Sequence, residues 1–277
     1  MTRLAITKQH SHAIHAIRLG ASVAPTQLCD RLTSLNGMLM PPAEVAYVSS
    51  DLIYYVCGCG FMTIFRTRVN ATAADDQPLY THPQWLRDLE VRKVAGHHIL
   101  YFTAYESEES CSFWYLDESG SAVMLRLISG AELPIPDPCL PGEETHWGAW
   151  SGGFAFDADD NLYLCTGNSV PAGVYRISGI SAENLDGPLE RIYASSAHSI
   201  EGLVCDGGSL YFYSGPRIYR LDPETGTEAM VYDTSDISDA AVDGLSLIPD
   251  NAGWQPLRWL IRLLQWVVWK IGSLLKR

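Results

Sequence analysis

A repeated pattern begins at Gly152-Gly-Phe-Ala-Phe-Asp-Ala-Asp-Asp-Asn-Leu-Tyr-Leu-Cys165 and continues with Gly173-Val-Tyr-Arg-Ile177. It returns at Glu201-Gly-Leu-Val-Cys-Asp-Gly-Gly-Ser-Leu-Tyr-Phe-Tyr213, followed by Arg217-Ile-Tyr-Arg-Leu-Asp222. Each copy reads as a glycine-containing opening strand, a turn, a second strand, and a third strand with a Tyr-Arg pair. The turns contain the Asp, Asn and Gly residues that β-hairpins favour. Repeats of this kind predict the blades of a β-propeller.

The remaining blades follow the same spacing with weaker patterns. Opening strands are predicted near residues 36, 88, 152, 201 and 243, at intervals of 42 to 64 residues. The strand near residue 243 has no partners after it, whereas the N-terminal region to Leu32 supplies three short strands. We therefore predict an all-β propeller of about five blades over residues 1–252, closed by N-terminal strands that join the C-terminal strand. The longest interval holds a Pro-rich insertion, Pro134–Pro141, so a sixth blade and an irregular β-sandwich stay open as alternatives.

Charge separates this body from the C-terminal segment. From Asn251 to Arg277 there are no acidic residues and five basic ones. The body to residue 250 therefore holds all 32 acidic residues and 14 of the 19 basic ones, a net charge of −18 against +5. An acidic body repels nucleic acid, which argues against nucleic-acid binding, whereas the C-terminal segment attracts anionic surfaces.

Residues 253–277 predict a cationic amphipathic helix. Pro256 suits the first turn of a helix, and the Leu, Ile and Val residues after it recur at helical spacing. Trp259 and Trp266 flank the apolar face beside Lys270, and Arg262 lies on the polar face. These features favour a helix lying in the plane of an anionic membrane through residues 254–277. Only seven residues separate Arg262 from Lys270, too few for a membrane span; docking on the propeller or pairing with a second copy stays open.

The seven cysteines suggest a reducing compartment. They show no Cys-x-x-Cys pair, and Cys57-Gly-Cys59 could chelate a soft metal only with further ligands from elsewhere.

Residues Met1–Ile17 lack the apolar run that a secretory signal contains. We therefore expect a cytoplasmic protein, peripheral to a membrane if the helix binds one. The His10-x-His12-x-x-His15 cluster is interpreted as an exposed turn rather than a zinc site.

Polar residues open three of the predicted inner strands, where a propeller directs side chains towards its central channel. They are Asn36 in Asn-Gly-Met, Glu201 in Glu-Gly-Leu and Asp243 in Asp-Gly-Leu. Two carboxylates and an amide oxygen suit a hard cation such as Ca²⁺, completed by water. The alternative is that Asn-Gly and Asp-Gly are ordinary turn pairs with no ligand role.

On these three openings the chain resembles the SMP-30/gluconolactonase-like group of propellers, which is related to paraoxonases and strictosidine synthases. The resemblance implies that Glu201, Asp243 and Asn36 hold a divalent cation that polarises a lactone or ester carbonyl. The group usually has six blades and begins its ligand order with Glu, whereas this chain predicts five blades and begins with Asn.

Two histidines and two tryptophans are candidates for the chemistry around such a cation. His146 and His198 could act as general acid or base, and Trp147 and Trp150 could line a small-molecule pocket. Solvated loop histidines and rim aromatics are the plainer interpretation. The sequence contains no Gly-x-Ser-x-Gly elbow, P-loop or dinucleotide fingerprint.

Two functions follow as hypotheses. The first is a metal-dependent hydrolase of a lactone, ester or related small molecule, attached to a membrane by its C-terminal helix. The second is a non-catalytic propeller that binds or scaffolds, with a membrane- or partner-binding tail.

Overall fold

A computed structural model describes residues 1–249 except 22, 30–41, 58–61, 72–75, 95, 108–109, 118, 137–143, 147–152, 168–170 and 181–184, and for 134–136 and 144–146 it describes only the backbone. The strands are β1 (Arg3–Lys8), β2 (Ile14–Arg18), β3 (Thr26–Cys29), β4 (Val45–Ser49), β5 (Leu52–Cys57), β6 (Thr63–Thr67), β7 (Gln77–Thr81), β8 (Leu86–Val94), β9 (His97–Ser107), β10 (Ser110–Leu116), β11 (Ala122–Ser129), β12 (Pro134–Pro136), β13 (Glu144–His146), β14 (Gly153–Phe156), β15 (Leu162–Cys165), β16 (Ala172–Ile177), β17 (Glu190–Ser195), β18 (Glu201–Asp206), β19 (Ser209–Ser214), β20 (Arg217–Asp222), β21 (Thr227–Asp233) and β22 (Val242–Leu247). Single 3₁₀ turns lie at Gly130–Glu132 and Thr234–Asp236.

The strands form five four-stranded antiparallel blades, which confirms the predicted five-bladed propeller. Blade 1 has the order β22-β1-β2-β3, blade 2 β4-β5-β6-β7, blade 3 β8 to β11, blade 4 β14 to β17, and blade 5 β18 to β21. The Pro-rich insertion forms the separate hairpin β12-β13 between blades 3 and 4. It is not a sixth blade.

Five apolar clusters fill the five seams between neighbouring blades. Phe113 of blade 3 packs on Phe154 of blade 4, for example, and Leu4 of blade 1 shares a cluster with Tyr213 of blade 5. Because every blade packs on both neighbours, the ring is closed and leaves no exposed inner edge. This arrangement excludes the β-sandwich alternative.

The ring closes through the two ends of the described chain. Leu4 pairs with Leu247 and Ile6 with Leu245, so β22 becomes the inner strand of the N-terminal blade. Lys8 is fully buried, and its Nζ donates to Thr234 O at 2.9 Å, Thr234 Oγ1 at 2.7 Å and Ser238 O at 2.6 Å. These bonds fasten β1 to the segment after β21, across the seam between blades 5 and 1.

Blade 2 differs from the sequence prediction at its inner strand. The prediction placed that strand near Asn36, whereas β4 at Val45–Ser49 is the strand beside the channel. Asn36 itself lies outside the described residues.

The C-terminal helix predicted for residues 253–277 also lies outside the described residues, together with Trp259, Arg262, Trp266 and Lys270. No helix in the described ranges is long and apolar enough to cross a bilayer. The five cysteines that the structure describes are free thiols, four of them buried.

Candidate functional site

Four acidic residues lie where inner strands of the propeller begin. Glu201 opens β18, Asp243 is the second residue of β22, Glu44 immediately precedes β4, and Asp88 lies near the start of β8. The inner strands of a propeller all run in the same direction along its axis, so residues at their starts meet at one end of the channel. We call the carboxylates of Glu44, Glu201 and Asp243 the channel-mouth carboxylates.

Glycines next to the acidic residues allow the inner strands to approach each other closely. A Cβ on Gly244 would lie 2.5 Å from Ala43 O and 2.8 Å from the Cα of Glu44. On the other side of the ring, a Cβ on Gly153 would lie 2.5 Å from the Cα of Gly202. Gly202 and Gly244 therefore lie inside strands, where they serve close backbone packing, and Asp243-Gly244 is not a turn pair.

Asp88 links three blades by hydrogen bonds to backbone N–H groups. It accepts from Leu89 N in its own blade and from Phe154 N in blade 4, each at 2.7 Å, and from Leu203 N in blade 5. Burial raises the pKa of Asp88 well above its usual range, and the three N–H groups oppose that shift. Because these donors occupy its oxygens, Asp88 serves to hold the inner strands together.

Glu44 has a buried oxygen with no partner among the described residues. The residue is 6% exposed, and its Oε2 accepts no hydrogen bond there. Burial raises the pKa of Glu44 well above its usual range, and the nearby carboxylates of Asp88, Asp243 and Glu201 raise it further. An acceptor left in this state is costly unless it binds a proton or a cation.

Glu201 and Asp243 each accept a hydrogen bond from a polar side chain. Ser199 Oγ donates to Glu201 Oε1 at 2.8 Å, and burial raises the pKa of Glu201. Burial also raises the pKa of Asp243, to about 6, although a hydrogen bond from Gln9 opposes the shift. Both carboxylates therefore keep their protons to a higher pH than ordinary acids of their type do, and Asp243 titrates at about pH 6.

Arg87 is the basic residue that acts on all three channel-mouth carboxylates. Its positive charge lowers the pKa values of Glu44, Glu201 and Asp243 against the larger effect of burial. Tyr213 is the aromatic neighbour of the group: its hydroxyl donates to Asp243 O at 2.8 Å. Burial raises the pKa of Tyr213, and the same carboxylates raise it further.

The structure brings together only part of the residues predicted from sequence. Glu201 and Asp243 lie close enough for the charge of Glu201 to raise the pKa of Asp243. His198 instead packs against aromatic rings of blade 5, with its centroid 4.5 Å from that of Tyr219 and 5.8 Å from that of Phe212. Its Nε2 is 2.9 Å from Glu228 Oε2 on the outermost strand. It is therefore bound to the outer part of the blade, although Glu201 is three residues away.

The other predicted residues are described in part or not at all. The backbone of His146 forms β13, and Trp147 and Trp150 lie outside the described residues with Asn36. In the part of the chain that the structure describes, no three His, Cys, Asp or Glu side chains form a ready-made metal site, whether at the channel or around His10.

Sequence reasoning missed Glu44, Asp88, Arg87 and His10 as members of this site. His10 is exposed in the turn after β1, at φ +64°, close enough to Asp243 to contribute to lowering the pKa of that carboxyl. Glu44 and Asp88 were not predicted because neither is followed by glycine. At the seam between blades 1 and 2, the glycine that allows close approach is Gly244 of the neighbouring strand β22.

No protein-family model matches the sequence, and no curated protein sequence matches it significantly. The fold is similar to a chain in the crystal structure of a nidogen/laminin complex, with TM-score 0.51, 12% identity, and coverage of 89% of this chain and 98% of that one. It is also similar to regucalcin, a calcium-binding protein of Agrobacterium tumefaciens, with TM-score 0.48, 13% identity, and coverage of 84% and 78%. A PQQ-bound aldose sugar dehydrogenase from Streptomyces coelicolor aligns with TM-score 0.45, 12% identity, and coverage of 76% and 88%. At these identities the comparisons show the propeller fold alone.

Proposed function

We propose that the protein is a metal-dependent, hydrolase-like propeller that binds Ca²⁺ at the channel mouth and acts on a lactone, ester or related small molecule. The observation that carries the proposal is the buried Glu44 Oε2, which has no partner among the described residues. Its neighbours include two further carboxylates, of Glu201 and Asp243, whose pKa values are also raised. A hard divalent cation is the ligand that oxygen donors of this kind prefer.

The local charge fits a divalent cation. When ionised, the three channel-mouth carboxylates carry three negative charges, and Arg87 offsets one of them. Ca²⁺ takes six to eight oxygen ligands and accepts water among them. The cation would thus use carboxylates from different blades and complete its shell with water and with the predicted amide ligand Asn36.

The chemistry of the proposal assigns a role to each side chain at the mouth. Bound there, a cation supplies Lewis acidity towards a carbonyl oxygen. Arg87 would bind negative charge that develops on the substrate. Neutral His10, near Asp243, would accept a proton from water, a role that we also keep for the predicted residue His146. The predicted base His198 is instead held by Glu228 on the outermost strand of blade 5. The choice of lactones and esters rests on the acid-Gly motifs, and Trp147 and Trp150 stay the proposed substrate-binding aromatics.

Calorimetric titration with CaCl₂ tests the cation site. We expect binding by the unmodified protein and a loss of at least about tenfold in affinity for Glu44→Gln and Asp243→Asn, because each removes one anionic ligand. Glu224→Gln is the matched control. It removes the same charge from an exposed carboxylate of blade 5, which pairs with Arg176 of blade 4. This variant should leave Ca²⁺ binding unchanged.

Two results would contradict the proposal. Absence of Ca²⁺ binding by the unmodified, folded protein would refute the site. Binding that survives in both channel variants would refute its location.

Hydrolysis of a panel of lactones and aryl esters, measured with and without EGTA, then separates the two functions. Cation binding without turnover of any substrate supports the non-catalytic binding propeller, which the bonding of His198 to the outer strands of blade 5 also favours.

We also propose that residues 254–277 attach the protein to an anionic membrane surface. The support is the sequence: five basic residues, no acidic residue and tryptophans beside an apolar face. A cytoplasmic protein held peripherally at a membrane is the location that this proposal implies.

A further inference from the structure

Blade 2 carries a polar cavity at the end opposite the channel mouth. The cavity has a volume of about 340 Å³ and is lined by Asp51, Leu52, Arg66, Thr67, Arg68 and Gln77. Asp51 lies in the turn between β4 and β5, Arg66 is the penultimate residue of β6, and Arg68 directly follows that strand. Glu44 precedes the other end of β4, and this five-residue strand spans about 16 Å. The cavity is therefore separate from the channel-mouth carboxylates.

The charge of this cavity is opposite to that of the surrounding body. Of the described residues that line it, two are arginines and one is an aspartate, whereas the body to residue 250 carries 32 acidic residues against 14 basic ones. Pairs of arginines at one cavity are the usual means of binding a carboxylate or phosphate, because guanidinium groups form paired, charge-assisted hydrogen bonds with such anions.

Among the described residues, the neighbour that orients Arg66 is an uncharged side chain. The Nε and Nη2 of Arg66 donate to the same oxygen of Gln77, Oε1, at 2.9 and 2.5 Å. This amide carries no charge, so the guanidinium keeps its full positive charge, and its five donors are not all used by this contact. The amide NH₂ group of Gln77 is then a further donor at the cavity wall.

Asp51 adds an acceptor to this set of donors. Its backbone N–H bonds to Ser49 Oγ at 3.2 Å, which fixes the turn, and its carboxylate is exposed at the cavity. A carboxylate repels an anion but accepts hydrogen bonds from hydroxyl groups. The cavity thus suits a molecule with an anionic group at one end and hydroxyl groups at the other.

We infer that this cavity binds a small, hydroxyl-bearing anion of the size of a sugar phosphate or sugar acid. A volume of 340 Å³ lies within the range of small-molecule sites, at its lower end. The arginines bind the phosphate or carboxylate, and Asp51 accepts from a hydroxyl group. The inference does not rest on the proposed cation site, because no residue is shared.

Calorimetric titration of the full chain in EGTA, with glucose 6-phosphate, gluconate, inorganic phosphate and glucose as separate probes, tests this inference. We expect binding of glucose 6-phosphate or gluconate, weaker binding of inorganic phosphate, and none of glucose. Arg66→Gln and Arg68→Gln should each weaken binding about tenfold or more, since each removes a charged donor. Arg220→Gln is the matched control, because Arg220 is an exposed arginine on β20, the third strand of blade 5, as Arg66 is on the third strand of blade 2.

Asp51→Asn gives a result of opposite sign and keeps the test valid if an arginine variant fails to fold. It removes the like charge, so inorganic phosphate should bind more tightly than to the unmodified protein. The inference is wrong if none of the anionic probes binds, if glucose binds as well as its phosphate, or if Arg220→Gln weakens binding as much as the cavity variants. Equal affinity for inorganic phosphate and glucose 6-phosphate would refute the hydroxyl contact at Asp51.

Discussion

At Gly202 the backbone has φ +53°, and a Cβ built there would lie 2.4 Å from Cε1 of Tyr213. The ring of Tyr213 therefore packs directly against the Cα of Gly202, and its hydroxyl reaches the carbonyl of Asp243 in the next blade. The pairing register between β18 and β19 shifts between Glu201 and Leu203, so Gly202 forms a bulge in β18. The glycine after Glu201 thus permits both the bulge and the packing of Tyr213.

Gly202→Ala should lower the free energy of unfolding by more than the same change at Gly207. Gly207 also has a positive φ, +57°, but a Cβ there would meet no atom within 4 Å. We expect a loss of about 1 kcal/mol at Gly207 from backbone strain alone, and of about 3 kcal/mol or more at Gly202 from strain and overlap together. Urea unfolding of the two variants measures the difference. Equal losses would show that Tyr213 moves aside at little cost.

Glu44 shows why part of the site could not be predicted from the sequence. The sequence signal for a channel residue is a polar residue followed by glycine, and this pattern predicts Asn36, Glu201 and Asp243. Close approach of two strands needs glycine on only one of them, and beside Glu44 that glycine is Gly244 of blade 1. A residue whose space is provided by another strand has no local signal in its own sequence.

At the scale of the strand, prediction succeeded where turn chemistry was strong. The repeats at 152–177 and 201–222 match β14 to β16 and β18 to β20, because Asp, Asn and Gly mark their hairpins. The pairing of β22 with N-terminal strands was also predicted, from unpartnered strands at both ends. The inner strand of blade 2 was placed wrongly because Asn36-Gly37 resembled the other openings, whereas β4 begins after Pro41-Pro42 without such a pair.

Deletion of residues 254–277 is the test of the proposed membrane attachment. All five bases of the C-terminal segment lie within these residues, so the deletion should abolish cosedimentation with vesicles containing phosphatidylserine. The truncated chain should keep the unfolding midpoint of the full chain, since the five blades and their seams are complete by Ile248. Phosphatidylcholine vesicles are the control for charge. A truncated protein that aggregates or melts much earlier would instead support a helix docked on the propeller.

At the scale of the whole molecule, the buried acids couple stability to pH and to the cation. Burial raises the pKa values of Glu44, Glu201 and Asp243, the last to about 6. The folded protein therefore binds more protons than the unfolded chain above about pH 4, where free carboxyls ionise. This contribution to stability is complete at lower pH and is lost as pH rises through the folded-state pKa values.

In EGTA we therefore expect the unfolding midpoint to fall by several degrees between pH 5 and pH 7.5. Added Ca²⁺ should raise the midpoint more at pH 7.5 than at pH 5, because protons compete for the same oxygens. Calorimetric scans at the two pH values measure both effects, and Asp243→Asn should reduce them. An equal effect of Ca²⁺ at both pH values would place the cation elsewhere.

The closure of blade 1 also determines the order in which the molecule can assemble. Blades 2 to 5 each form from consecutive strands, whereas β1 must find β22 across more than 230 residues, from Leu4 to Leu247. Such distant pairing has the largest loop-closure entropy, so it forms late in folding. Until then β1 and β22 present unpaired edges, and Lys8 lacks its acceptors in the segment after β21. We therefore expect aggregation during refolding to depend on how fast β1 pairs with β22.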